Sequence, residues 1–302
     1  MLCKKPNTRG AQVFGCGRCV PCRISRRRIW THRLMLEAYK HGNSTMATLT
    51  YDPDHLPSGG TLVPSDVDAF MHRLRTNWRR STGGLKIRFY GVGEYGDDTQ
   101  RPHYHYALFG YPNCSRGRTD HRYDICCGHC QLIKDSWKLG GVDLQELNPV
   151  TCQYVCGYVT KKMTKWDDPR LSGRHPEFAR MSNRPGIGAA AMDDIASLLT
   201  NQSGEILNVM DDVPMVLKHG SKSWPLGRYL RRKLREALEL SPDTPEEIKS
   251  AYVEEMRALF SRSLNDPQLA GLSFSEMIAR RSASKVASVE ARSKIFSNKR
   301  SL

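Results

Sequence analysis

The period of the apolar positions changes several times along the chain, and each change marks an element. From Ile24 to Lys40, Trp30, Leu34 and Ala38 recur at i, i+4 and i+8, which predicts an amphipathic helix with Arg23, Arg26, Arg27, Arg28 and Arg33 crowding its start. Residues 45–51, TMATLTY, are Thr-rich and alternate as a strand does. A helix start signal surrounds Ser65: Pro64 precedes it, Asp68 stands three residues on as in a capping box, and Val67, Phe70, Leu74 and Trp78 make one stripe. LKIRFYGVGE at 85–94 alternates again, and HYHYALF at 103–109 follows the polar, turn-forming GDDTQRP, so the two segments predict a hairpin. A Cys-rich insertion comes next, with Cys114, Cys126, Cys127, His129 and Cys130, then a short helical piece around Trp137 and a strand at Val142 to Leu147. Asn148 followed by Pro149 reads as the N-cap and first residue of a helix running to about Lys165.

The flanks are less regular. Residues 1–22 are rich in Cys, Gly and Pro and carry Cys3, Cys16, Cys19 and Cys22, which predicts a loop or knuckle and no regular element. Residues 166–190 show no clear period, the chain from Pro225 onward is helical and charged, and the last twenty residues read as a polar, basic tail. No internal repeat is visible.

Composition narrows the class. With 302 residues, 39% hydrophobic, 25% charged and 8% aromatic, the chain is ordinarily globular, which excludes a largely disordered, collagenous or coiled-coil protein. Its length predicts about two domains. It has no apolar run of about eighteen residues and so no transmembrane helix. The start, MLCKKPNTRGAQVFGC, has neither an apolar h-region nor a small-residue cleavage site, so the expected location is a reducing cytoplasm. Clustered thiols in such a compartment are more often metal ligands or core residues than disulfide partners. Lys plus Arg is 46 against 31 Asp plus Glu, a net charge of +15, and a surplus that large favours a polyanion, with nucleic acid the first candidate. The basic stretches lack the paired apolar face of a membrane-lying helix, so no membrane partner is expected.

Two groups of residues can carry chemistry. On a strand His103 and His105 point to one face and Tyr104 to the other. An isolated pair of this kind is usually two half-buried surface histidines. Here Glu94, at the outer end of the preceding strand, can bring a carboxylate beside both rings, with Asp97 or Asp98 in the turn as alternatives. Two His and one carboxylate leave positions open for water and substrate, and suit a divalent ion of the Mn, Fe or Zn kind while tolerating Mg. The second group is TCQYVCGYVTKKMTK. On a helix Tyr154 and Tyr158 share a face that Lys161, Lys162 and Lys165 continue or border, while Cys152, Cys156, Val159 and Met163 form the other. Alone, these tyrosines read as amphipathic residues at a helix–sheet interface. A phenol with an ordinary pKa of about 10 is a poor nucleophile; a metal-polarised phosphate and nearby lysines make it a competent one. Together the two groups supply what a DNA-nicking transesterase needs, and a second tyrosine one turn away permits a second cleavage while the first covalent link stands.

These residues resemble the HUH endonucleases, named for two His flanking a bulky residue, and more closely the replication initiator proteins of the Microviridae, the gokushovirus-like group. The resembling segments are CGRCVPCR at 16–23, ATLTYDPDHLP at 47–57, GEYGDDTQRPHYH at 93–105, YVCGYVTKK at 154–162, MSNRPGIG at 181–188 and PLGRYLRRKLRE at 225–236. The resemblance implies an α+β fold, with a central antiparallel sheet flanked by helices and the His pair on a central strand, which agrees with the elements placed above. It divides the chain into a Cys-rich knuckle and basic helix (1–44), an HUH nuclease core (45–165), a loop-rich extension (166–224) and a helical, basic C-terminal region (225–302). It implies metal-dependent (Mg2+ or Mn2+), origin-specific nicking of the replicative form by Tyr154 and Tyr158, assisted by Lys161 or Lys162, in the cytoplasm of a bacterial host. The partners it implies are phage origin DNA, single-stranded and replicative, and host helicase and polymerase, since the chain has no P-loop of the G-x-x-x-x-G-K-[ST] type.

The remaining features are less specific. Cys16-x-x-Cys19-x-x-Cys22 and Cys127-x-x-Cys130 have zinc-ligand spacing. One structural Zn2+ joining Cys16, Cys19, Cys127 and Cys130 is one arrangement; Cys3 or Cys22 completing an N-terminal set is the alternative, and reduced thiols in a loop-rich region are the plain one. Phosphate contacts are expected at Arg23, Arg26, Arg27, Arg231 and Arg232, together with Arg101 and Lys165. The rival functional class is a non-catalytic, zinc-dependent nucleic-acid-binding regulator in which the His pair and the tyrosines are structural. A third is an ordinary metal-dependent hydrolase that cuts without a protein–DNA adduct.

Overall fold

The structure, a computed structural model, describes residues 2–84, 86–117, 127–158, 165–201 and 212–298, with positions 158, 201 and 296–298 described by backbone alone. A short hairpin of β1 (Asn7–Arg9) and β2 (Gln12–Phe14) precedes helix α1 (Val20–His41). Strand β3 (Ser44–Thr50) and helix α2 (Pro64–Thr82) follow, then β4 (Arg88–Tyr95) and β5 (Pro102–Phe109). Next come α3 (Gly128–Trp137), β6 (Val142–Glu146), α4 (Pro149–Tyr158), β7 (Phe178–Met181) and α5 (Met192–Asn201). A second hairpin, β8 (Val216–His219) with β9 (Lys222–Pro225), leads into α6 (Gly227–Ala237), α7 (Glu246–Leu264) and α8 (Phe274–Asn298). The chain forms two compact units: one is Trp30–Asp194, the other Met1–Ile29 with Ile195–Leu302. Among the described residues no helix is long and apolar enough to cross a membrane.

The Trp30–Asp194 unit is α+β, as expected. Its sheet has five strands in the order β6-β3-β5-β4-β7, and every neighbouring pair is antiparallel. Period two along the central strand β5 sorts its side chains between two cores. Tyr104, Tyr106 and Leu108 pack with Phe70 and Leu74 of α2 and Ile133 and Trp137 of α3. Ala107 and Phe109, on the face that also carries His103 and His105, pack with Leu34 of α1 and Cys152, Val155 and Cys156 of α4.

Helix α2 buries the stripe the sequence predicts, Val67, Phe70, Leu74 and Trp78, and adds Met71. Its start differs from the capping box expected at Ser65: Val63 is the N-cap, and Pro64 occupies the first turn, where a missing N–H is harmless. Asp68 instead pairs with Arg180, and Asp66 accepts a 2.6 Å hydrogen bond from the Tyr51 hydroxyl. Helix α1 starts at Val20, ahead of the expected Ile24, because Pro21 is equally tolerated in a first turn. At α4 the cap is as expected. Asn148 Oδ1 accepts from the Val150 and Thr151 amides at 2.9 and 3.0 Å.

Four elements depart from the expectation. Residues 1–22 contain the β1–β2 hairpin, hidden in sequence because each strand is only three residues long. The aperiodic 166–190 stretch supplies the edge strand β7, four residues paired to β4. Ahead of Pro225 lies the β8–β9 hairpin. The last twenty residues, read as a tail, continue helix α8 as far as Asn298.

Strand β4 carries two glycines because aromatic rings lie against its backbone. A Cβ on Gly91 would stand 2.5 Å from the Tyr106 ring, and one on Gly93 2.9 Å from Phe178. Tyr106 is fully enclosed and cannot swing aside. We therefore expect Gly91→Ala to destabilise the fold by about 1–3 kcal/mol through overpacking. A urea midpoint equal to that of the unaltered chain would contradict this account of the strand.

Candidate metal centre and its tyrosine

The register of the β4–β5 hairpin builds the site. Glu94 stands directly opposite His103, and His105 stands opposite Val92, two residues further along the same face. Glu94 Oε1 lies 2.8 Å from His103 Nε2 and 3.1 Å from His105 Nε2. The two imidazoles meet edge to face, with centroids 5.0 Å apart. Glu94 and His105 are buried, at 2% and 3% exposure, while the His103 side chain remains 18% open. Burial pushes the Glu94 carboxyl up, but the two histidines outweigh it and hold it at about 2, so the group is a carboxylate.

The rings are held from behind. His103 Nδ1 donates to the Arg101 carbonyl at 3.1 Å, and His105 Nδ1 is 2.9 Å from Thr48 Oγ1 across β3. With the Nδ1 proton of His103 committed to a carbonyl, a neutral ring presents its Nε2 lone pair to a carboxylate oxygen. Two acceptors facing each other at hydrogen-bond distance repel unless a cation stands between them or the ring is protonated. The three ligand atoms lie within 4.8 Å of one another, and the donor set of two imidazoles and one carboxylate fits a divalent ion of the Mn2+ or Mg2+ kind. Thr48 and the Arg101 carbonyl escaped the sequence reading. The one signal for Thr48 is that a Thr-rich strand pairs with the histidine strand. Its row continues across the sheet to Asp143, opposite Thr48 on β6.

Helix α4 brings Tyr154 to this site. Its ring stands against His105, centroids 5.1 Å apart and nearly perpendicular, and 38% of the residue is exposed. Cys152 and Cys156 lie on the buried face of the helix, as core residues. Lys161 and Lys162, and the side chain of Tyr158, lie outside the described residues.

The thiols group differently from the arrangement that joined Cys16 and Cys19 to Cys127 and Cys130. Cys3, Cys16, Cys19 and Cys22 converge as one set, and Cys114, Cys127 and Cys130 as another. The alternative in which Cys3 completes an N-terminal set is the grouping seen. Of the basic residues, Arg26 and Arg232 are exposed on their helices, Lys165 is exposed, and Arg23 and Arg27 are half-buried. Arg101 donates to the Tyr51 carbonyl at 3.0 Å. Arg231 is a correction: with Arg235 it pairs with Asp212, which commits its guanidinium to an internal carboxylate that a phosphate contact would have to displace.

Fold and site are those of a phage replication-associated class, and the comparisons with known proteins point the same way. Residues 44–163, the stretch holding the sheet strands β3 to β6 and helix α4, match the family model of the replication-associated protein ORF2. The chain is 30% identical over 160 residues to Replication-associated protein VP4 of Bdellovibrio phage phiMH2K, covering 52% of this chain and 50% of that one. It is 34% identical over 158 residues to Replication-associated protein ORF4 of Chlamydia phage 1, covering 49% and 38%. With Replication-associated protein ORF2 of Spiroplasma virus 4 it shares 27% identity over 248 residues, covering 80% and 72%. The first two alignments thus span half or less of those relatives' length. No solved structure matches the chain. These relatives bear out the resemblance to the microvirid initiators drawn from the sequence.

The geometry predicts that Mn2+ binds with Glu94, His103 and His105 as ligands. Removing the hydroxyl that orients His105, in Thr48→Val, should weaken binding by about 10–100-fold in a calorimetric or EPR titration. Unchanged affinity in Thr48→Val would show that the Thr48 contact does not position a ligand.

Proposed function

We propose that the chain is a phage DNA replication initiator acting in the bacterial cytoplasm, which nicks one strand at the origin by tyrosine transesterification. One observation supports this above the rest: the carboxylate and two imidazoles converge on a single sheet face, and the Tyr154 ring stands against one of those imidazoles. The net charge of +15 and the phage relatives named for replication are consistent with a DNA substrate.

A divalent cation held by Glu94, His103 and His105 supplies positive charge at the scissile phosphate. The chain's own residues do the rest. Thr48 and the Arg101 carbonyl keep the imidazoles in one orientation, so no reorganisation is needed as charge develops. Helix α4, capped by Asn148 and anchored by Cys152, Val155 and Cys156, fixes Tyr154 at the mouth of the site. Its phenolic oxygen attacks phosphorus, the bond from phosphorus to the 3′-oxygen breaks, and the phenolic proton passes to water. The departing oxygen takes up a proton and becomes a free 3′-OH primer, while the 5′ end stays on the enzyme as a phosphotyrosine. One phosphodiester replaces another, so the step is reversible and the same site reseals the strand. Tyr158 takes the second cleavage of a replication round, and Lys161 or Lys162 neutralises developing charge. Host helicase and polymerase supply the activities that the chain lacks.

The test is incubation with labelled single-stranded origin DNA and Mn2+ or Mg2+, followed by denaturing electrophoresis. Wild-type protein should form a metal-dependent adduct that survives denaturation. Tyr154→Phe combined with Tyr158→Phe should abolish it, and His103→Ala should slow it by about 100-fold or more. Cleavage without an adduct, retained in the double variant, would indicate a hydrolase. Binding without cleavage would leave the zinc-dependent regulator.

A further inference from the structure

The strongest constellation outside the catalytic site lies in the Met1–Ile29 part of the other unit. Cys3, Cys16, Cys19 and Cys22 place all four sulfurs within 4.8 Å of one another, with Cys3 Sγ and Cys19 Sγ 3.8 Å apart. All four cysteines are free, so this is not a disulfide pair. Bonds of about 2.3 Å from zinc to sulfur, arranged tetrahedrally, require sulfur–sulfur edges of about 3.8 Å.

Every sulfur also faces backbone amides, the surroundings a thiolate needs. The Cys16 amide donates to Cys3 Sγ at 3.2 Å, and the Lys4 amide to Cys19 Sγ at 3.5 Å. Cys16 Sγ accepts from the amides of Arg18 and Cys19, both at 3.4 Å, which is the wrap that a C-x-x-C turn makes around a bound metal. The Lys5 amide faces Cys3, and the Gly17 amide faces Cys22.

The surrounding fold lacks another means of holding itself together. The β1–β2 hairpin fills the interval between Cys3 and Cys16, and both its strands alternate between exposed and half-exposed residues, with Phe14 44% exposed. A hairpin of this size with no apolar face is marginal in water. Cys3 and Cys16 bracket it, Cys19 precedes helix α1 and Cys22 sits in its first turn, so one ion would tie both ends of the hairpin to the helix start. The charge also fits. Four thiolates around a divalent ion carry a net −2, and Lys4, Lys5, Arg18, Arg23 and Arg26 surround them in sequence. The Arg26 guanidinium approaches to 3.1 Å of where a Gly17 side chain would begin.

We propose that Cys3, Cys16, Cys19 and Cys22 bind one structural Zn2+, which clamps the N-terminal hairpin to the start of the arginine-rich helix. The site is separate from the nicking centre, and its existence does not depend on the nicking reaction.

The experiment measures metal in the full chain, purified without chelator, by mass spectrometry of the elements. Wild type, Cys16→Ser/Cys19→Ser, Cys127→Ser/Cys130→Ser and His103→Ala are compared. The first variant should lose one equivalent of zinc relative to wild type, and His103→Ala should retain that equivalent. In case Cys16→Ser/Cys19→Ser fails to fold, the Cys127→Ser/Cys130→Ser chain reloaded with Co2+ provides a second reading. It should show the intense visible absorption of a tetrahedral cobalt thiolate. Undiminished zinc in Cys16→Ser/Cys19→Ser, no thiolate band from cobalt, or iron in place of zinc would each overturn the assignment.

Discussion

The antiparallel register of β4 against β5 is the constraint from which the site follows. Glu94 meets His103 because these two positions are paired across the strands, and His105 joins them because side chains repeat every second residue. A slip of one residue would send the carboxylate to the opposite face from the imidazoles. The register is fixed from the far side of the sheet. There the Tyr104 hydroxyl accepts the Val63 amide at 2.8 Å and lies 2.9 Å from the Tyr51 hydroxyl, which donates to Asp66. Burial pushes the Tyr104 phenol up to about 12, so it stays a neutral link in that chain. The bulky residue between the histidines is thus a core anchor, and the ligands are positioned by what lies beneath them.

The helical layer over the histidine face depends on the same sheet. Glu37 of α1 is buried beside Arg88 at the start of β4, and its other oxygen accepts the Gly188 amide at 2.6 Å. Arg88 in turn donates to the Arg184 and Pro185 carbonyls, tying the 184–188 loop to the strand. A buried pair with its remaining hydrogen bonds satisfied contributes orientation more reliably than net stability. Here it fixes where α1 and that loop lie in the layer that also holds α4, the helix carrying Tyr154.

Much of this was legible in the sequence, for reasons that differ by element. The strands β3, β4 and β5 and the stripe of α2 declare themselves because half of each element is buried in a regular period. Asn148 and Pro149 announce α4 through local backbone chemistry alone. The convergence of Glu94 with His103 and His105 was readable because a hairpin joins neighbouring segments, so its register is nearly local information. Thr48 was not readable in the same way, since its partner lies 57 residues away. Strand β7 and the two short hairpins were missed because three- or four-residue strands show no period. The pairing of Cys3 with Cys16, Cys19 and Cys22 was one of several open choices, because spacing cannot say which loops fold back on each other. Arg231 was misread as a phosphate contact because a charge run does not show which of its members faces an internal carboxylate.

The central claim is that the sheet register builds a divalent cation site beside Tyr154. Crystals of the full chain soaked in Mn2+ and measured for anomalous scattering address it directly. The account predicts a peak within about 2.0–2.3 Å of Glu94 Oε1, His103 Nε2 and His105 Nε2. A site that stays empty while Mn2+ binds elsewhere on the chain would contradict it.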